Sequence, residues 1–218
     1  MSRWEIRIAI VIGAMVVGFT PAATTAAEQP GLATAVLETL PVKGRAPKTG
    51  YSRDQFGQAW ADVDRNGCDT RNDILNRDLK SITYKYTNEK CTVMSGVLFD
   101  PYSGTQIDFL RGVGTSNLVQ IDHVVAVSDA WQKGAFKWGS NTKVAFYNDP
   151  LNLLAVQGKL NSQKGDGDAA TWLPPQKSYR CAYVARQIAV KAKYSIWITS
   201  AEKSAMKTIL AKCPNQLL

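Results

Sequence analysis

Gln120-Ile121-Asp122-His123-Val124-Val125 holds the only histidine in 218 residues, placed directly after an aspartate at the end of an apolar run, Leu118, Val119 and Ile121. Apolar residues with a turn-rich stretch behind them read as a strand over Asn117–Val125. Leu153–Val156 is apolar and of the right length to pair back on Val119–Val125. Gln157–Lys164 starts a helix that Gly165-x-Gly167 ends. The three pieces make a β-β-α unit. They set the expected fold class as α+β, with an added β-hairpin and surrounding helices.

That unit has a chemistry. Asp122 and His123 occupy adjacent strand positions, so their side chains start on opposite sides. A bend after His123 is expected to turn both toward the helix that carries Asn161. Hydrolysing a phosphodiester needs a base, a divalent ion and oxygen ligands for that ion. His123 suits the base, because its ordinary pKa lies near neutrality. Asp122 and the side-chain oxygen of Asn161 suit Mg²⁺ (or Mn²⁺), which takes hard oxygen ligands and keeps several waters. Zinc would want more nitrogen or sulfur, and the chain offers no second histidine. The competing reading of Asp122-His123 is a strand-end pair with a purely structural hydrogen bond.

Charge and cysteine place this unit in a wider frame. Hydrophobic content of 45% and charged content of 20% describe a globular chain and exclude a disordered one. The net charge of +8 is uneven: residues 28–158 carry 14 basic and 14 acidic side chains, whereas residues 159–218 carry 10 basic and 3 acidic. A basic surface on one side favours a polyanion, with a lysine-rich solvated helix face as the plain alternative. Residues 1–27 read as a signal peptide: Arg3 and Arg7, the apolar stretch Ile8–Phe19, then Thr25-Ala26-Ala27 before Glu28. The apolar stretch falls short of the roughly 20 residues of a membrane span. Retention as an anchor is the competing reading.

Export agrees with four cysteines, Cys68, Cys91, Cys181 and Cys213. Three pairings are open. Sequence proximity favours Cys68–Cys91 and Cys181–Cys213, each closing a loop of roughly 25 to 35 residues worth about 3–4 kcal/mol. A four-cysteine zinc site competes, without any Cys-x-x-Cys spacing behind it.

The remaining chain supplies a frame. Residues 28–48 are expected as a linker that includes a short helical stretch at Leu32–Leu40, and residues 49–218 as one domain. Ser52 is placed to cap a helix holding Phe56 and Trp60, broken by Asp64-Arg65-Asn66-Gly67. Asp69 or Thr70 then starts a helix with Ile74, Leu75 and Leu79. Asp64-x-Asn66-Gly67 looks like the start of a calcium loop but lacks the closing glutamate, and turn chemistry is the preferred reading. Lys90–Leu110 reads as a hairpin turning at Asp100–Gly104. Ser128–Phe136 and Thr142–Tyr147 are short helices or turns, and Tyr179–Tyr194 and Ser200–Cys213 are helices.

The stretches Ile121–Ser128, Asn152–Val156 and Asn161–Asp166 together resemble the HNH, or His-Me finger, nuclease motif. The chain looks most like exported HNH proteins related to the C-terminal domain of GmrSD-type restriction enzymes. Thr49–Arg53, Asn66–Asp73 and Ala170–Pro175 share in that resemblance, which covers roughly residues 48 to 213. It implies a ββα-metal nuclease core. His123 falls at the general base, Asp122 at the metal ligand before it, and Asn161 at the last metal-ligand position. Asn152 falls at the middle asparagine, which ties the finger loop together and orients the base. Lys164 falls at a basic position that can approach phosphate. The implied products carry a 5′-phosphate and a 3′-hydroxyl. Cys-x-x-Cys pairs, which staple some HNH proteins through zinc, are missing here.

Weaker claims attach to Arg71, Arg180, Arg186, Lys191 and Lys193 as contacts to a nucleic-acid backbone, against surface salt bridges. Asp166 and Asp168 are candidates to orient Lys164 or a water, with a turn role preferred. The expectation is a secreted, monomeric endonuclease acting on DNA, with RNA left open as a substrate, and with little sequence preference. A secreted basic protein that binds nucleic acid on the same frame without cutting it is the alternative. A toxin role would add an immunity partner.

Overall fold

The computed structural model describes Met1, residues 31–88 and residues 90–218. The expected signal peptide, residues 1–27, lies outside this range apart from Met1. Helix α1 (Ala33–Thr39) is followed by an extended strap to Ser52 and by α2 (Thr70–Asp78). Strands β1 (Leu79–Tyr84), β2 (Val93–Phe99) and β3 (Gln106–Leu110) form an antiparallel sheet in that order. Strand β4 (Val119–His123) then leads to α3 (Val127–Gln132) and α4 (Ser140–Tyr147). Strand β5 (Leu153–Gln157) returns antiparallel on β4, and α5 (Gly158–Lys164) follows directly. Helices α6 (Arg180–Lys193) and α7 (Ser200–Leu210) close the chain.

The expected β-β-α unit is present, with Val119 opposite Gln157, Ile121 opposite Ala155 and His123 opposite Leu153. The turn from β5 into α5 requires Gly158, because a Cβ there would stand 2.0 Å from the Asn117 carbonyl oxygen. Gly165, at φ 51°, stops α5 in the left-handed region that glycine enters without strain. The β4–β5 pair is buried on both faces. Val119, Ile121, Leu153 and Ala155 pack with α2 and the three-stranded sheet, through Ile74, Leu75, Leu98 and Phe109. On the other face Leu154 and Val156 join Leu37 of α1, Val184 and Ile188 of α6, and Met206 of α7. A third cluster is largely aromatic: Phe56, Trp131, Phe146 and Tyr147.

Three local expectations change. The helix expected through Phe56 and Trp60 is a single 3-10 turn, Arg53–Phe56. Gly57 at φ 82° and Trp60 at φ 60° take the chain out of helical geometry. Leu79 begins β1 instead of ending α2, so the hairpin becomes a three-stranded sheet. The stretch expected as a linker belongs to the folded unit from residue 31 onward. Ala33, Leu37 and Leu40 are buried in the main core. Within the strap, Lys43 N–H donates to the Ile198 carbonyl at 2.9 Å and Ala46 N–H to Gln132 at 2.8 Å.

Asp69 caps α2 by accepting from Asn72 N–H at 2.8 Å, and Thr199 caps α7 from Glu202 N–H at 3.1 Å. Asp62 accepts from the N–H groups of Asn66 and Gly67, so the aspartates of this loop do turn chemistry. Both favoured disulfides form, Cys68–Cys91 and Cys181–Cys213, which leaves no cysteine for zinc. Among the described residues no helix is long and apolar enough to cross a membrane.

A buried ionic cluster joins the strap to three helices. Lys133 Nζ lies within 2.7–2.8 Å of Asp129, Asp168 and Glu202. Lys191 reaches Asp129 and Glu202, and Arg45 of the strap reaches Asp129 and Asp168. Three cations thus face three carboxylates, a balance that buried charge requires. Asp168 therefore anchors the strap rather than Lys164.

Candidate active site

Asp122 and His123 obey strand alternation, one on each face of β4. Both nevertheless border one cavity of about 220 Å³, together with Arg53, Asn161 and Asp166. The strand end, the C-terminal half of α5 and the 3-10 turn of the strap meet there.

His123 is 4% exposed. Its ring stacks on Tyr147, centroids 4.8 Å apart and planes 15° from parallel. Nε2 lies 2.8 Å from the Tyr147 carbonyl oxygen. A carbonyl only accepts, so Nε2 carries the hydrogen and Nδ1 keeps its lone pair. Burial lowers the His123 pKa from 6.5 to about 4, and the charges of Arg53 and Lys164 push the same way. The Tyr147 bond and Asp122 oppose that shift without reversing it. The imidazole is therefore neutral at pH 7.

Asp122 is buried between two donors. Lys164 Nζ reaches Oδ1 at 2.9 Å and Tyr102 Oη donates to Oδ2 at 2.5 Å. Lys164 also donates to the His123 carbonyl at 2.8 Å, so one ammonium fixes both residues of the pair. Asn161 points its amide nitrogen at Gln120 Oε1, 2.8 Å away, and its side-chain oxygen has no hydrogen bond among the described residues.

Asn152 lies beneath the site, fully buried. Its Oδ1 accepts from Val125 N–H at 2.8 Å, its Nδ2 donates to the Val125 carbonyl, and its own carbonyl accepts from Val124 N–H at 2.8 Å. The loop leaving His123 is thus clamped to the turn entering β5. Arg186 braces that turn from behind, donating to the carbonyls of Pro150, Leu151 and Leu153.

The structure thus gathers Asp122, His123 and Asn161 on one cavity, with Asn152 and Lys164 supporting them. Arg71, Arg180 and Arg186 do not border it. Arg71 donates to the Val119 carbonyl and Arg180 to Pro174. Two residues that do border or shape the cavity, Arg53 and Tyr147, carry no sequence signal of their own. Arg53 sits in the Thr49–Arg53 stretch, and only the tertiary fold brings it to His123.

The oxygens at the cavity that a hard divalent ion could use are the Asn161 side-chain oxygen and the Asp122 carboxylate, whose two oxygens already accept from Lys164 and Tyr102. Among the described residues no group of three or more His, Cys, Asp or Glu side chains could hold a metal. Mg²⁺ keeps several waters and takes few protein ligands, so a site for it needs no such group.

Residues 69–209 match the family described as GmrSD restriction endonucleases, C-terminal domain. A protein of Arthroderma benhamiae described as an uncharacterized secreted protein is 37% identical over 208 residues, covering 93% of this chain and 97% of the relative. No solved structure matches. On the extent of both matches, this chain belongs to the family of the GmrSD restriction endonuclease C-terminal domain.

Proposed function

We propose that the chain is a secreted, divalent-metal-dependent endonuclease of the HNH, or His-Me finger, type that hydrolyses phosphodiester bonds of DNA. One observation carries the reading: a neutral, buried histidine whose Nε2–H is committed to a carbonyl borders the same cavity as Asp122 and Asn161. The remaining nitrogen, Nδ1, is the proton acceptor. Membership in a restriction-endonuclease family supports nucleic acid as the substrate class. Two disulfides and the secreted relative support export.

His123 Nδ1 takes a proton from a water. The hydroxide attacks phosphorus, the P–O3′ bond breaks with its electron pair on O3′, and O3′ takes a proton from solvent water, so the products end in a 5′-phosphate and a 3′-hydroxyl. Asp122 and Asn161 are the residues that would hold Mg²⁺ or Mn²⁺, which supplies positive charge to the phosphate and the leaving oxygen. Tyr147 keeps the imidazole in the tautomer that leaves Nδ1 free. Lys164 and Tyr102 hold the Asp122 carboxylate in one rotamer. Asn152 fixes the loop after His123, so the ring stays in register with the cavity.

A plasmid-nicking assay tests this, with wild type and His123→Ala side by side in Mg²⁺ and in EDTA. Wild type nicks in Mg²⁺ and not in EDTA, and His123→Ala binds DNA without nicking. Equal nicking by the variant removes His123 from the mechanism. A protein that shifts DNA in a gel but never nicks it with any divalent ion is the non-catalytic binder instead.

A further inference from the structure

Arg53 is the cation of this cavity without a carboxylate. Among the described residues it forms no salt bridge. Its single side-chain hydrogen bond runs from Nε to Tyr147 Oη at 2.8 Å. Its guanidinium also lies over the Tyr147 ring, 5.4 Å from the centroid, and the same ring stacks on His123. One tyrosine therefore positions both the candidate base and an arginine. The other cavity charges are already matched: Asp122 by Lys164 at 2.9 Å, and Asp166 by Lys48 at 3.0 Å.

The location of Arg53 is built. Three residues on, Phe56 is fully buried among Trp131, Phe146 and Tyr147. On the other side, Arg45 ties the strap to Asp129 and Asp168. The 3-10 turn is pinned at both ends, and Arg53 projects from it at the cavity. With Nε on the tyrosine, the Nη1 and Nη2 edge of the guanidinium has no partner among the described residues. That edge matches two non-bridging phosphate oxygens, and a lysine at the same place could not reproduce the fork.

We propose that Arg53 is a substrate-contacting residue that grips the scissile phosphate through its Nη edge while Tyr147 holds its Nε. The proposal rests on the nuclease reading for the word scissile. Its phosphate contact is tested separately. His123 is the chain's only histidine, so its ring gives a single set of NMR signals that report occupancy of the cavity.

Inorganic phosphate is titrated, at constant ionic strength, pH 7 and without divalent ion, into wild type, Arg53→Met and Arg53→Lys of the mature chain. Wild type shifts the His123 ring signals. Arg53→Met needs about tenfold more phosphate, and Arg53→Lys falls between. Thermal unfolding of the three proteins stays the same. In single-turnover cleavage with Mg²⁺, Arg53→Met is slowed by about 100-fold. No shift in wild type, or an equal phosphate requirement in Arg53→Met, overturns the proposal. Phosphate binding that depends on Arg53 in a protein that never cuts DNA sinks the nuclease reading and leaves Arg53 as an anion contact.

Discussion

Replacing His123 by Gln should change how stability depends on pH, and the size of the change follows from the site. Burial first, then the charges of Arg53 and Lys164, bring the His123 pKa from 6.5 to about 4. In the unfolded chain the imidazole takes a proton as pH falls through about 6.5. The folded protein resists until about pH 4. Between these values the unfolded state binds more protons, so stability falls as pH falls. The slope approaches 1.4 kcal/mol per pH unit, and the whole window amounts to about 3 kcal/mol. That is a large share of the roughly 5–15 kcal/mol that holds a domain folded. Urea unfolding of wild type and His123→Gln from pH 7 to pH 4.5 measures it. Carboxylates titrate in both proteins and cancel in the difference, as does the constant cost of the substitution. Wild type should lose about 2–3 kcal/mol relative to the variant over that range. The ring signals of the lone histidine should titrate with a midpoint near 4. Parallel stability curves, or a midpoint near 6.5, would refute the account of a histidine kept neutral by burial.

Lys133→Met should cost about 3–5 kcal/mol in denaturant unfolding, because Asp129, Asp168 and Glu202 lose their shared cation; a loss under about 1 kcal/mol would mean the cluster relaxes around water. Burial raises the Asp168 pKa, but the Lys133 ammonium and Arg45 outweigh it and bring it to about 2. Stability from that carboxylate should persist above pH 4 and disappear as pH falls through about 2, which acid unfolding of Asp168→Asn against wild type would show. Opening Cys181–Cys213, whose cysteines are 32 residues apart, with paired Cys→Ser substitutions should cost about 3–4 kcal/mol. Asn152→Ala should cost about 2–3 kcal/mol and slow nicking, since the Val125 N–H loses its acceptor; unchanged nicking would remove Asn152 from positioning the base.

The parts that sequence discloses are those with local causes. Strands β4 and β5 and helix α5 follow from apolar run length and from the Gly165-x-Gly167 stop. The two disulfides follow from proximity. Strand β1 is hidden because nothing punctuates its start: α2 ends at Asp78 and the strand begins at Leu79. Ser81, at φ 50°, then breaks the alternation, and the register with β2 shifts between Lys80 and Thr83. Arg53 and Tyr147 are hidden for a different reason. Their roles exist only once a strap, a 3-10 turn and α4 converge on His123, and no periodicity records that convergence. Lys164 shows a different limit: the resemblance puts it at a basic position that can approach phosphate, yet it is buried and hydrogen-bonded to Asp122 and to the His123 carbonyl.

The same reasoning revises what the basic C-terminal segment can do. Of the 10 basic residues in 159–218, Lys164 and Lys191 are buried in ion pairs. Arg186 braces backbone carbonyls, Lys193 pairs with Asp149, and Lys203 and Lys207 pair with Glu38. That leaves Lys159, Lys177 and Lys212 without a carboxylate among the described residues, with Arg180, whose Nε donates to the Pro174 carbonyl, as the fourth. Lys177, Arg180 and Lys212 border a single groove beside Cys181, so the charge available to a polyanion is concentrated rather than spread. Each phosphate neutralised contributes about 0.9 to the slope of log affinity against log salt for duplex DNA. If every basic residue of the segment reached DNA, the slope would be about −9; four of them give about −4. Binding of a short duplex by fluorescence anisotropy between 50 and 200 mM salt distinguishes these values. Removing Lys177, Arg180 and Lys212 together should flatten the slope by about 3 while leaving thermal stability in place. A wild-type slope near −9 would mean that contacts beyond these four take part, from opened ion pairs or from basic residues outside the segment such as Arg53, and an unchanged slope in the triple variant would place the contact elsewhere.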